Sequence, residues 1–166
     1  GPVATLVPDV REGEQEWLYR ASDESRDADQ ADGWQTPAFD DATWQRGLAA
    51  FGTQGTPGAT IRSKWETAKI QLRTTFRLEE IPGALLLTSL HDEDIEVYLN
   101  GQLVHQQSGY TSSYRKHQLG AAALAALVVG RNVLAVQCVQ TKGGQAIDVG
   151  LSTRWDIEAT GGLLES

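Results

Sequence analysis

The chain has one cysteine, no methionine, and fewer basic than acidic side chains, 14 against 22, for a formal net charge of −8. A single cysteine cannot build an internal disulfide framework or a multi-cysteine zinc site. Cys138 lies in the apolar run Val133-Leu134-Ala135-Val136-Gln137-Cys138-Val139, where a small buried hydrophobe is expected rather than a catalytic thiol. An acidic chain without a Lys/Arg stripe is a poor partner for nucleic acid or an anionic membrane, and polyanionic substrates are disfavoured unless a local basic patch overrules the total. No apolar stretch is long enough to span a bilayer, and no signal-peptide h-region is visible. No internal repeat of fixed period occurs, which argues against a propeller or solenoid.

What is present points to strands. The 166 residues suffice for one well-buried core, and 17 glycines with five tryptophans suit a turn-rich β-protein better than a helical bundle. The clearest local signal runs from His91 to His105. Ile95, Val97 and Leu99 alternate with Glu96, Tyr98 and Asn100, the period of a strand with one buried and one wet face. Asn100-Gly101 then supplies the pair favoured in a two-residue type I′ hairpin turn, where both central residues need positive φ. Asp92-Glu93-Asp94 stands at the entry to this hairpin, either as a cation- or sugar-binding corner or as a solvated one.

Taken in order, Val3 to Gly13 reads as a loose lead-in and Glu16–Arg20 as a strand with Trp17 and Tyr19 on one face. The polar stretch from Ser22 to Gly33 is expected to be a solvated, mobile loop. Asp40 is placed to cap one helical turn, with Phe39 and Trp44 flanking it and plugging one end of the core. A Gly/Pro-rich loop spans Thr53 to Ala59, and Lys69 to Leu78 alternates with Ile70, Leu72, Thr74 and Phe76 on one face. Pro82-Gly83 turns into a buried strand, Ala84 to Leu90. Gln106 to Gln118 reads as a loop, Leu119 to Val129 as a short helical turn and apolar link, and Gly130-Arg131-Asn132 as a turn. Val133 to Gln140 and Ala146 to Ser152 are strands joined by the turn Lys142-Gly143-Gly144-Gln145. Short strands punctuated in this way predict two antiparallel sheets packed face to face, an all-β sandwich. The organisation expected is a lead-in over 1–14, one β-sandwich domain over 15–156, and a tail over 157–166. Gly1-Pro2 matches the scar of a cleaved purification tag, which reads the chain as a piece of a longer protein.

A succession of motifs extends this pattern. Trp34-x-x-Pro37-x-Phe39-Asp40-Asp41-x-x-Trp44-x-x-Gly47 is followed by Phe51-Gly52 and by Leu72-Arg73-x-x-Phe76. Asp92-x-Asp94-x-Glu96-Val97-Tyr98-Leu99-Asn100-Gly101 and Gly130-x-Asn132-Val133-Leu134-Ala135-Val136 complete it. In this order and spacing, from Trp17 to Trp155, they resemble the galactose-binding-domain-like jelly rolls that accompany bacterial glycoside hydrolases, such as the sugar-binding domain of the β-galactosidase and β-glucuronidase family. The resemblance implies a jelly-roll sandwich of about eight strands acting as a non-catalytic carbohydrate-binding or accessory module. It also implies a covalently linked catalytic domain in a secreted or periplasmic parent enzyme. The shared Trp, Phe-Asp-Asp and Asn-Gly positions carry over as structural. Related sandwiches hold a structural calcium between the sheets, for which Asp40, Asp41, Asp92 and Asp94 are the acidic candidates here, without a recognisable ligand spacing. No other cofactor is expected.

Glycan contact would come from loops, where an aromatic face meets the C–H patch of a pyranose and polar groups bond its hydroxyls. Two clusters have that mixture: Arg62, Lys64 and Trp65, and Tyr110, Tyr114, Arg115 and His117, with His91 and Asp92 joining if the loops meet at one rim. Each aromatic has an equally simple structural reading, sealing the edge of the core. Two other functional classes stay open. Tyr114, Arg115 and His117 are the residue types of a polysaccharide lyase, and Asp92 and Asp94, two apart on one strand, would stand about 7 Å apart as in an inverting hydrolase. A structural module would instead dock its exposed aromatics on a neighbouring domain.

Overall fold

The computed structural model describes residues 3–28, 30–141 and 143–154. Gly1-Pro2, Lys142, Trp155 and the tail over 157–166 lie outside the described residues. Twelve strands follow one another: β1 (Val3–Val7), β2 (Glu16–Ser22), β3 (Gln45–Leu48), β4 (Phe51–Gly52), β5 (Ser63–Lys64), β6 (Lys69–Leu78), β7 (Leu85–Asp92), β8 (Asp94–Leu99), β9 (Gln102–Gln107), β10 (Arg115–Leu119), β11 (Gly130–Val139) and β12 (Ala146–Arg154). One α-helix, α1 (Ala121–Ala126), precedes β11, and a single 3-10 turn spans Gln30–Asp32. No helix among the described residues is long and apolar enough to cross a membrane.

The strands form two six-stranded sheets. The first has the order β10-β7-β12-β4-β5, with β1 also antiparallel to β12, and the second the order β3-β2-β6-β11-β8-β9. Every pairing is antiparallel except the two-residue β4–β5 contact. The architecture is the all-β sandwich that the alternation predicts.

Between the sheets lies the main core. Trp17, Ile70, Leu72, Phe76 and Leu78 from the second sheet meet Phe51, Leu85, Leu87, Ile147, Val149 and Leu151 from the first. Cys138 is fully buried among them, which raises its thiol pKa through desolvation and leaves it inert. The hairpin turn takes the expected form, with φ of 49° at Asn100 and 90° at Gly101. Its side chain also ties the far end of the sandwich. Asn100 Nδ2 donates to the Ala126 carbonyl at 2.8 Å and to Asn132 Oδ1 at 2.9 Å. Asn132 is fully buried and exchanges bonds with Val128, satisfying the backbone where α1 gives way to β11.

Several segments depart from the sequence reading, each because a long-range partner outweighs local composition. The expected lead-in contains β1, which is held by the ladder to β12. Gln106 to Gln118 is not one loop, since β9 runs through Gln107 and β10 is recruited by β7 as an edge strand. The turn at Gly130-Arg131-Asn132 is the first part of β11, paired with β6 from Gly130↔Leu78 onward.

The largest departure is the stretch from Ser22 to Gly33, which packs over the outer face of the second sheet. Lys69 Nζ donates to the carbonyls of Ser25 and Ala28, both at 2.9 Å. Gln71, Gln137 and Glu96 form a buried chain beneath it, at 2.9 and 2.8 Å. Further along, Arg73 is 2% exposed, bonded to Asp41 Oδ2 at 2.8 Å and to the carbonyls of Trp34 and Thr36. Trp34, Trp44, Tyr98 and Ala135 make a second, smaller core there. Phe39 and Trp44 meet edge-on at 5.6 Å in this outer layer, so they do not plug an end of the main core. Asp40 accepts from the Ala42 N–H at 3.0 Å and shapes a turn without forming a helix.

Candidate functional site

Five connections converge at one end of the sandwich. The segments 53–62, 108–114 and 140–145 meet there with the corner between β7 and β8 and the chain leaving β2. Gly58 (φ +81°) packs so closely on the 108–114 segment that a Cβ would lie 2.3 Å from the Ser112 carbonyl oxygen. Thr56 Oγ1 donates to the Gln145 carbonyl at 3.0 Å. Thr111 N–H donates to the His91 carbonyl at 2.7 Å, and His91 N–H to Thr111 Oγ1 at 3.1 Å. These bonds make a single rim, the condition under which His91 and Asp92 were expected to join the loop clusters.

On this rim a groove of about 540 Å³ runs between Gly52-Thr53-Gln54 and Ile61-Arg62-Ser63-Lys64, with Glu66 at its border. Arg62 is 4.0 Å from Glu14, and the exposed Lys64 is 3.0 Å from Glu66. Both cations therefore stand beside carboxylates at the water interface, with donors free to meet hydroxyl oxygens. Tyr110 on the neighbouring segment is 68% exposed.

Trp65 does not belong to this surface. It is 1% exposed, packed in the main core with its indole N–H 3.2 Å from Thr67 Oγ1, so it cannot stack on a sugar. The alternation that places Lys64 outward turns the next side chain inward. His91 is fully buried for the same reason, and burial lowers its pKa. Asp92 stays partly exposed at the corner, its pKa raised by burial and by Glu93.

The residues that suggested lyase chemistry do not converge. Tyr114 lies on the outer face of the first sheet, where its hydroxyl donates to Asp148 Oδ2 and the Arg11 guanidinium stacks 3.7 Å from its ring centroid. His117, paired in register with Leu87, faces the opposite side, into the space between the sheets. Arg115 is exposed at the edge. Asp92 and Asp94 are likewise separated: one ends β7 in the first sheet and the other begins β8 in the second. They are not a carboxylate pair on one strand.

Three of the four calcium candidates are engaged elsewhere. Asp41 is paired with Arg73 and Asp40 caps its turn. Asp94 bonds Arg26 and the Gly109 N–H; burial works to raise its pKa, but these bonds outweigh it and hold the carboxyl below its ordinary value. No three His, Cys, Asp or Glu side chains among the described residues are placed to share a metal ion.

Two polar clusters escaped sequence reading. Asp148 is buried on the outer face of β12, accepting from Val10 N–H at 2.9 Å and from Tyr114. Desolvation raises its pKa to about 6 although both bonds oppose the shift. Next to it, Asp9 is held by Arg11 at 2.9 Å. The 8–13 segment is thus pinned to the sheet by charge, which no local pattern signals.

The second cluster gathers all three histidines of the chain. His105 on β9 and His117 on β10 stack with ring centroids 4.4 Å apart, closing the seam between the two sheets, with His91 nearby. The Nε2 atoms of all three are buried without a hydrogen-bond partner. Burial, then the two neighbouring imidazoles, push His105 down to about 4. Its folded pKa lies below the unfolded value, so it favours folding less as pH falls from about 6.5 to 4. That interval corresponds to about 3 kcal/mol; the ring is only half-buried, and solvent screening reduces this to about 1–2 kcal/mol. Asp148 has the opposite slope, its raised pKa favouring the fold below about pH 4 and less as pH rises through 6. The variant His105→Phe, which keeps the stacked ring, is expected to lose less stability between pH 7 and about 4 than the parent, by about 1–2 kcal/mol in denaturant unfolding. Equal acid losses in both would show that the imidazole is not responsible.

Similar folds occur in solved structures of much larger enzymes. A glycosyl hydrolase family 2 member from Bacteroides cellulosilyticus aligns over 83% of this chain and 20% of its own, at 17% identity and a TM-score of 0.55. Bifidobacterium dentium β-glucuronidase, solved with coumarin-3-O-glucuronide, aligns over 91% of this chain and 30% of its own, at 12% identity and a TM-score of 0.56. A β-glucuronidase from glycoside hydrolase family 2 aligns over 90% and 18%, at 15% identity and a TM-score of 0.57. No protein-family model and no curated protein sequence matches the chain. The resemblance carried by the Trp, Phe-Asp-Asp and Asn-Gly motifs is therefore met at the level of fold: this is a β-sandwich of the kind found within glycoside hydrolases, and it spans 18–30% of their length.

Proposed function

We infer that this chain is a non-catalytic carbohydrate-binding module of a larger, secreted or periplasmic glycan-processing enzyme. The observation that carries the reading is the open groove between 52–54 and 61–64, where Arg62, Lys64 and Gln54 offer donors on the same rim as the exposed Tyr110. A groove of this size accommodates a few sugar units, and binding sites commonly combine such fixed polar groups with an aromatic surface. The fold likeness to sandwiches embedded in glycoside hydrolases supports a covalently linked catalytic domain. The separation of Tyr114 from His117, and of Asp92 from Asp94, favours binding over turnover.

Affinity electrophoresis against a panel of neutral polysaccharides tests the reading. The parent should be retarded by at least one, and Arg62→Ala/Lys64→Ala should weaken that retardation about tenfold without lowering the melting temperature, the loss of roughly two polar contacts. A parent retarded by none of them gives the lead to a second reading, a structural module packed on a neighbouring domain. That alternative draws on the exposed Ile81, Val128 and Val129 at the opposite end of the sandwich.

A further inference from the structure

The segment covering the outer face of the second sheet stops at Arg73. Beyond it, Thr75, Arg77 and Arg131 are exposed. Arg77 and Arg131 are partners in the β6–β11 ladder, so their side chains leave the same face of the sheet side by side. Like charges directly opposite each other disfavour the pairing, yet neither arginine has an ion pair among the described residues. Adjoining them is a groove of about 320 Å³ lined by Gln15, Arg46, Arg73, Thr75 and Arg131, with Glu16 and Asp41 as its acids. Both acids are already engaged, Glu16 with Arg46 at 3.1 Å and Asp41 with Arg73 at 2.8 Å. In a chain of net charge −8 this is a local excess of positive charge held on a rigid sheet.

We propose that this groove, with the Arg77–Arg131 pair at its edge, is a second binding site that takes the carboxylate of an acidic sugar in a glycan chain. The inference rests on the reading of the chain as a glycan-binding module and adds the chemical class of a ligand. Guanidinium groups match carboxylate oxygens with parallel N–H bonds, and two adjacent unpaired guanidinium groups supply such donors without first breaking an ion pair. Nucleic acid fits less well. The lining has no exposed aromatic on which a base could stack. A sugar carboxylate needs no such platform, only paired N–H donors.

The test is affinity electrophoresis of the whole chain in polygalacturonate and in its methyl-esterified form, which keeps the backbone and removes the charge. A single-stranded oligonucleotide serves as the polyanion control. The parent is expected to bind the acid form about tenfold more tightly than the ester, with the difference shrinking as salt is added. Arg77→Gln/Arg131→Gln should lose that preference while melting at the same temperature or higher, because a like-charge pair has been relieved. Equal binding of acid and ester, an unaltered double variant, or an oligonucleotide bound as tightly as polygalacturonate would each overturn the proposal. Arg62→Ala/Lys64→Ala separates the two sites. Neutral-glycan binding lost in that variant with no acid preference in the parent retains the rim and discards this groove; an acid preference without any neutral binding does the reverse.

Discussion

Trp65→Ala is expected to lower the stability of the sandwich by about 3–5 kcal/mol, the range for truncating a large buried aromatic. The indole is 1% exposed among the core residues of both sheets, so its removal leaves a cavity that the flanking strands cannot close without disturbing their ladders. Domains are stable by only about 5–15 kcal/mol, so this one change consumes a large share of the total. At this chain length the melting temperature should fall by roughly 10 °C or more. Glycan retention measured below that temperature should persist, since the side chain faces away from the groove that Arg62 and Lys64 border. The loss of binding in a variant that melts normally would place Trp65 at the ligand and contradict its position in the core.

The second large effect concerns Arg73. Substituting methionine keeps the aliphatic stem but leaves the Asp41 carboxylate unpaired and withdraws the donors to the Trp34 and Thr36 carbonyls. Breaking one side of a buried pair costs about 3–5 kcal/mol, and Asp41 retains some contact with water, which places the expectation near 3 kcal/mol. The double variant Arg73→Met/Asp41→Leu should recover part of this, because no charge is then stranded. Limited proteolysis supplies an independent reading: the 23–44 segment should become cleavable in Arg73→Met before the rest of the chain. Unchanged protection together with a loss under about 1 kcal/mol would mean that the guanidinium does not hold the segment down.

These two residues also mark how far local pattern carries. Arg73 occupies a strand whose existence follows from sequence, whereas Trp65 directly follows the two-residue β5, which no local pattern announced. Ile70, Leu72 and Phe76 declared the inner face of β6 by alternation, and Asn100-Gly101 declared its turn by the φ values it tolerates. The same alternation leaves Lys69, Gln71 and Arg73 on the other face, normally the wet one. They are buried because a polar segment more than thirty residues earlier in the chain folds back over them and supplies carbonyl acceptors. A segment poor in apolar side chains reads as mobile when its composition is taken alone. It is ordered here by donors that composition cannot locate.

The candidate sites divide in the same way. Arg62, Lys64 and Tyr110 are surface residues by both readings, because charged or polar groups on connecting segments stay at the water interface where no other segment covers them. Tyr114, Arg115 and His117 were neighbours in sequence, but strand geometry sends alternate side chains to opposite faces, and β10 became a strand only through pairing with β7. The histidine seam, the Asp148 cluster and the Arg77–Arg131 pair each join residues of strands distant in the chain. By itself the sequence determined the strand periods, the hairpin turn, the all-β class and the acidic balance, since these depend on stereochemistry and composition within a few residues. Only the tertiary structure decided which outward faces are covered, which charges meet and which aromatics see solvent, because strand pairing and sheet packing bring together side chains that no local pattern links.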